Sequence, residues 1–232
     1  MLQLTRTGFV HDGQLDAARD RFATNHCVVL EKLLEPALVE MAQRHIQQTP
    51  WQRTDFDDVG AELTLDNGTG IARALSLVVN TPEFLNVIRI ITGREHINEF
   101  MGRVYRLAGG PQHHLSWHDD TQVPMRYVGF SINLSTGVFR GGTFELRDAR
   151  TLARLAQVDN TGFGDAILFR ISKDLQHRVT EVVGEVAKTA YAGWFYETGV
   201  NSFAELVKLH RNHGTLGDAS ASIALASALR SV

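Results

Sequence analysis

From about Asn98 to Glu197 the apolar residues tend to recur at every second position, and that period restricts the fold more than any other feature of the chain. Val128, Phe130, Ile132 and Leu134 alternate with Gly129, Ser131 and Asn133, as a half-buried strand requires. Glycines punctuate the chain beyond Leu134. Gly141-Gly142 precede Thr143–Arg147, Gly162 and Gly164 precede Ala166–Phe169, and Val186–Tyr196 reads as one long final strand. Short strands separated by glycine turns predict a sandwich or a jelly roll.

The first hundred residues read mainly as helix. Leu15, Ala18, Arg19 and Phe22 share a helical spacing, and Glu35-Pro36 opens a second amphipathic stretch with Leu38, Met41, Ala42 and Ile46 on one face. Between them Cys27–Leu30 predicts a short buried strand. A third helix has Thr81 as N-cap, Pro82 at its first position, Glu83 in the first turn and Gly93 as terminator. Trp51–Ile71, rich in Asp, Gly and Thr without a clear period, predicts a mobile loop. Ser202–Glu205 forms a capping box that opens a trailing helix, and the Ala/Ser-rich tail from Asp218 predicts another. The expected class is α+β with a mainly β core, a double-stranded β-helix (jelly roll) flanked by N-terminal and C-terminal helices. One domain is expected over residues 1–232: a helical lead-in to about 97, a core over about 98–197, and helices over about 202–232.

Composition removes several functional classes. A net charge of −3 with 21% charged residues gives no basic stripe for a phosphate backbone, so nucleic acid is not an expected partner. The single cysteine, Cys27, excludes an internal disulfide and a cysteine-based zinc cage, and points to a reducing compartment. No run of about 18 apolar residues is present, and no basic segment leads into an apolar one at the amino terminus. No membrane association and a cytoplasmic location are the expectations.

Chemistry concentrates in Trp117-His118-Asp119-Asp120 and His177. Two imidazoles and one carboxylate on a strand-rich scaffold make the facial set that holds non-haem Fe(II) with positions left open. If His118 and Asp120 lie on one strand, residues i and i+2 share a face and Asp119 points away. His177 follows Ala166–Ile171 at a turn; taken alone, it reads more readily as a surface histidine, since most histidines bind nothing. His113 and His114 compete. His114 lies four residues before His118, as in a helical zinc pair, but Leu115 stands where a His-Glu-x-x-His hydrolase has glutamate. Both histidines are expected in a mobile segment, Ala108–Leu115, at the mouth of the site. Lys188 shares a strand face with Ala190, Ala192 and Trp194, and the two alanines leave room beside it for a co-substrate. An inward lysine is costly unless an anion meets it; the blander reading is a solvated edge lysine.

The order His118-x-Asp120, His177, Lys188, Trp194, together with Gly141-Gly142 and Gly162–Phe169, resembles the Fe(II)- and 2-oxoglutarate-dependent dioxygenases, particularly their prolyl-hydroxylase-like branch. The resemblance spans about residues 98–197. It implies Fe(II) held by His118, Asp120 and His177, with Lys188 pairing with the distal carboxylate of 2-oxoglutarate and Tyr105 hydrogen-bonding the same co-substrate. Arg178 is an alternative carboxylate partner. Further implications are O2 as the second co-substrate, ascorbate as a candidate auxiliary, and release of succinate and CO2 as a C–H bond is hydroxylated. The related halogenases carry a small residue at the carboxylate position, so Asp120 favours hydroxylation. Trp117 and Phe130 are candidates for an apolar shell, with core packing as the alternative for each. The substrate is a small molecule or a peptidyl side chain, and the protein a monomer or homodimer. Two other readings stay open: a metal-binding jelly roll without turnover, and a cupin-like enzyme, which a metal-side role for His114 would support.

Overall fold

The computed structural model describes residues 1–56, 59–65, 70–111, 113–159 and 161–197. The chain begins with a hairpin, β1 (Leu2–Thr5) and β2 (Gly8–His11), followed by α1 (Asp16–Asn25), β3 (Cys27–Leu30) and α2 (Pro36–Gln47). A second hairpin, β4 (Gln52–Phe56) and β5 (Gly60–Thr64), leads to α3 (Gly70–Val79) and α4 (Pro82–Thr92). The remaining strands are β6 (Ile97–Leu107), β7 (Leu115–His118), β8 (Arg126–Asn133), β9 (Arg140–Gly141), β10 (Phe144–Asp148) and β11 (Arg154–Val158). They continue with β12 (Ala166–Arg170), β13 (Leu175–Val179), β14 (Val182–Val183) and β15 (Lys188–Glu197).

Eleven strands form one sheet in the order β11-β10-β13-β7-β5-β6-β15-β8-β12-β3, with β4 attached to β5. It is antiparallel throughout and curls into a nearly closed, barrel-like jelly roll. The two faces of β8 and β15 do different work. Phe130, Ile132, Tyr191 and Phe195 face the helices and join Phe22, Ile46, Leu75, Phe84 and Ile88 in the main hydrophobic core. Around the barrel interior lie two smaller clusters, one containing Phe144, Ile167 and Phe169, the other Tyr105, Phe139, Val179 and Ala190. The helices therefore support the sheet from one side and leave the other free for chemistry.

Helix boundaries follow local chemistry. Pro36 and Pro82 open α2 and α4, where their missing N–H costs nothing, and Gly93 ends α4 in the left-handed region at φ 68°. Thr81 occupies the N-cap of α4, but its hydroxyl turns back to the Val78 carbonyl at 3.1 Å.

One expectation for the lead-in is corrected: the predicted loop Trp51–Ile71 contains the β4–β5 hairpin and the start of α3, while four helices and the expected strand Cys27–Leu30 are present. The trailing helices predicted from Ser202 onward lie outside the described residues. Among the described residues no single helix is long and apolar enough to cross a membrane.

Candidate active site

The β7–β13 pairing sets His118 directly opposite His177, with ring centroids 4.2 Å apart. His177 lies in the middle of β13 and is buried, so the expected position at a turn is wrong. Asp120 arrives differently from expectation. β7 ends at His118, and Asp120 sits beyond it with φ 57°, a left-handed conformation that aspartate tolerates better than most residues. That turn, rather than strand alternation, carries the carboxylate to the imidazoles. Its Oδ1 is 3.8 Å from His118 Nε2 and its Oδ2 is 3.3 Å from His177 Nε2. One donor atom from each of the three residues lies within 4.8 Å of the other two, the only such group among the described residues.

Electrostatics prepares these donors for a cation. His118 Nδ1 is 2.6 Å from the Ser116 carbonyl, and donation there leaves the Nε2 lone pair facing the cluster. Burial, aided by neighbouring His177, pushes the His118 imidazole below its ordinary value, so it is neutral at pH 7. Burial opposes ionisation of Asp120, yet the hydrogen bond with His177 and the nearby charges, Arg126 among them, hold its carboxyl well below the usual range. The Trp194 indole Nε1 donates to Asp120 Oδ2 at 2.7 Å. An ionised carboxylate and two imidazole nitrogens converging on one point fit Fe(II).

Along the inner face of β15, Lys188 lies at the opposite end from Trp194. It is buried, its Nζ donates to the Gly142 carbonyl at 2.6 Å, and burial pushes its ammonium down to about 8. Gly142, at φ 59°, lies so close to the lysine stem that a Cβ there would approach Cδ to 3.1 Å. Ser131, Asn133, Phe139, Ile167 and Ala190 line a pocket beside Lys188. The small Ala190 side chain thus borders open space, as the alternation with Lys188 predicts.

The family profile described as the 2OG-Fe(II) oxygenase superfamily matches residues 101–196, the stretch holding all these groups. Residues 101–196 belong to the 2OG-Fe(II) oxygenase superfamily. This oxygenase domain is that of a 2-oxoglutarate-dependent dioxygenase, and no curated protein matches the chain by sequence.

Solved structures resemble it in fold. A Pseudomonas putida prolyl-4-hydroxylase is 17% identical, covering 80% of this chain and 100% of that one, with a TM-score of 0.61. A Trichoplax adhaerens prolyl hydroxylase, solved in complex with a hypoxia inducible factor peptide fragment, is 13% identical at TM-score 0.59, covering 81% of this chain and 94% of that one. The alpha ketoglutarate dependent epimerase SnoN from nogalamycin biosynthesis is 13% identical at TM-score 0.58, with 81% and 84% covered.

The other predicted residues divide clearly around the oxygenase site. Tyr105 pairs with Ala190 across β6 and β15, its hydroxyl bonds Ser131 at the Lys188 pocket, and burial, then Glu62, pushes its phenol up. Arg178 leaves β13 from the face opposite His177, is bound by Glu145, and stacks on Trp117 at 4.7 Å, so it lies away from the pocket. Trp117 itself sits between Arg147 and Arg178, and Phe130 belongs to the helix-side core, so neither lines the cluster. His113 and His114 stay outside the donor group, so His114 lends the cupin-like reading no support, and its place just before a strand removes the helical zinc pair.

Sequence reasoning missed the real apolar wall. Phe169 and Phe144 flank His177 at 4.6 and 6.0 Å between ring centroids. Gly129, paired with Phe169, was the available signal: a Cβ there would overlap the Phe169 ring.

Proposed function

We propose that this oxygenase hydroxylates an unactivated C–H bond of a small molecule or a peptidyl side chain, with 2-oxoglutarate leaving as succinate and CO2. His118, Asp120 and His177 hold Fe(II). Lys188 receives the distal carboxylate of 2-oxoglutarate, with Tyr105 beside it. The observation that carries the reading is the convergence of the three donors at one end of an inner face whose other end presents a buried lysine. When bound, Fe(II) with 2-oxoglutarate supplies the O2 activation that the protein's own side chains lack. The chain's residues do the rest. Neutral His118 and ionised Asp120 offer lone pairs without first losing protons, and Phe169 and Phe144 keep water from the His177 side. Lys188, disfavoured as a buried cation and bonded to the Gly142 carbonyl, gains a counter-charge when an anion enters. An aspartate at position 120, where a small residue would open a place for halide, supports hydroxylation over halogenation.

The same reading treats residues 1–232 as one domain working in the cytoplasm as a monomer or homodimer, with ascorbate as an auxiliary. A net charge of −3 supports a partner other than nucleic acid or an anionic membrane.

The test is anaerobic titration of the Fe(II)-loaded protein with 2-oxoglutarate. A weak visible charge-transfer absorption that appears in the wild type and is lost in His177→Ala is expected. Iron binding without that absorption would replace the reading with a metal-binding jelly roll that does not turn over.

A further inference from the structure

We infer that Trp194 is a positioning residue for the metal carboxylate: its indole N–H fixes the rotation of Asp120, while Arg126 and Arg103 hold the indole from the strands on either side. The inference rests on the Fe(II) triad proposed above. His118 and His177 are fixed by a strand ladder, but Asp120 stands on a left-handed turn beyond the end of β7. Its carboxylate needs another constraint to present one orientation. The Trp194 Nε1, 2.7 Å from Oδ2, supplies it.

The indole is itself held. On β15, Trp194 pairs with Met101 of β6 on one side and Gly129 of β8 on the other, so its backbone is fixed twice. The Arg126 guanidinium lies 3.7 Å from the ring centroid and its Nε is bound to the Tyr196 hydroxyl at 2.9 Å. Arg103 stands 5.4 Å from the same ring and is bound by the fully buried Glu62. Stacked guanidiniums fix the plane of an indole, and the plane sets the direction of its N–H. A packing role alone would need the ring and not the N–H, and phenylalanine separates the two.

Co(II), which accepts the same donors, reports on the site without turnover. Trp194→Phe is expected to weaken Co(II) binding by about 10- to 100-fold, the usual effect of losing a hydrogen bond to a ligand. It should change the intensity of the ligand-field absorption and leave the thermal unfolding of the metal-free protein near wild type. Arg126→Lys keeps a cation beside Asp120 but loses the flat face over the indole, and a smaller weakening is expected. Wild-type Co(II) affinity and spectrum in Trp194→Phe would overturn the inference; if that variant fails to fold, wild-type affinity in Arg126→Lys does so. His118→Ala, titrated in parallel, separates the two levels. If it too binds Co(II) normally, the triad is wrong; if it loses the metal while Trp194→Phe retains it, only the role of Trp194 falls.

Discussion

Lys188 keeps its ammonium where burial disfavours charge, and this makes its proton a handle on co-substrate binding. In the free protein the group titrates at about 8, below the ordinary 10.5, whereas an anion in the pocket raises it again. With the proposed pairing, binding of 2-oxoglutarate should take up a proton above pH 8. Affinity should be flat below that pH and fall toward tenfold per unit above it. The metal-free protein should show the opposite trend. A folded-state value depressed below the unfolded one means the native state sheds this proton first, so stability contributed by the group rises from pH 8 to 10.5. Calorimetric titration with 2-oxoglutarate from about pH 7 to about 9.5 checks the first trend; a curve with no break near 8, or the same break in Lys188→Met, would remove Lys188 from the carboxylate. That Lys188 points inward was legible from its alternation with Ala190, which lines the pocket beside it. Asp120 was found for a reason the structure overturns: the spacing from His118 is right, but a φ of 57° rather than strand alternation brings it in. Asp120→Asn keeps the size and the tolerance for that turn while removing the charge, so it should fold and lose Fe(II)-dependent turnover. Retained turnover would detach Asp120 from the triad.

Elements with a buried apolar face announced themselves, and those without did not. β8 and β15 alternate plainly because one face packs on helices. β4, Gln52–Phe56, is an edge strand exposed along much of its length, and β5 turns a charged residue, Glu62, into the fully buried interior. Neither presents an apolar period, and a hairpin of this kind reads as loop. The same limit hid the wall around His177, which depends on cross-strand pairing that no local pattern encodes. Gly129 on β8 makes room for Phe169 on β12, and Phe169 packs on His177 of β13. Gly129→Ala should push Phe169 off its position, cost about 1–3 kcal/mol of overpacking, and weaken metal binding through His177. Denaturant unfolding and Co(II) titration measure the two effects; a destabilised variant with unchanged Co(II) affinity would show that Phe169 serves packing alone.

At the scale of the whole molecule, the β8–β15 region divides stability from chemistry. The largest hydrophobic cluster joins its outer face to four helices, and the donor group lies on the inner side, beside clusters of only six or seven buried residues. Neither His118 nor Asp120 belongs to the main core, so the fold should not require the ion. What metal adds is linkage, since a ligand that binds only the native state at about 100 times its dissociation constant stabilises by about 2.7 kcal/mol. For a chain of this size that corresponds to a rise in Tm of roughly 5–10 °C. Metal-free wild type and His118→Ala should therefore unfold at nearly the same temperature, because the removed imidazole is partly exposed and at the end of a strand. Saturating Co(II) should then raise the Tm of the wild type and leave that of the variant unchanged. If the wild type unfolded cooperatively only with metal present, the ion would belong to the architecture, and the separation of a structural face from a reactive one would be wrong. If both proteins responded to Co(II), the cation would be binding outside the cluster of His118, Asp120 and His177.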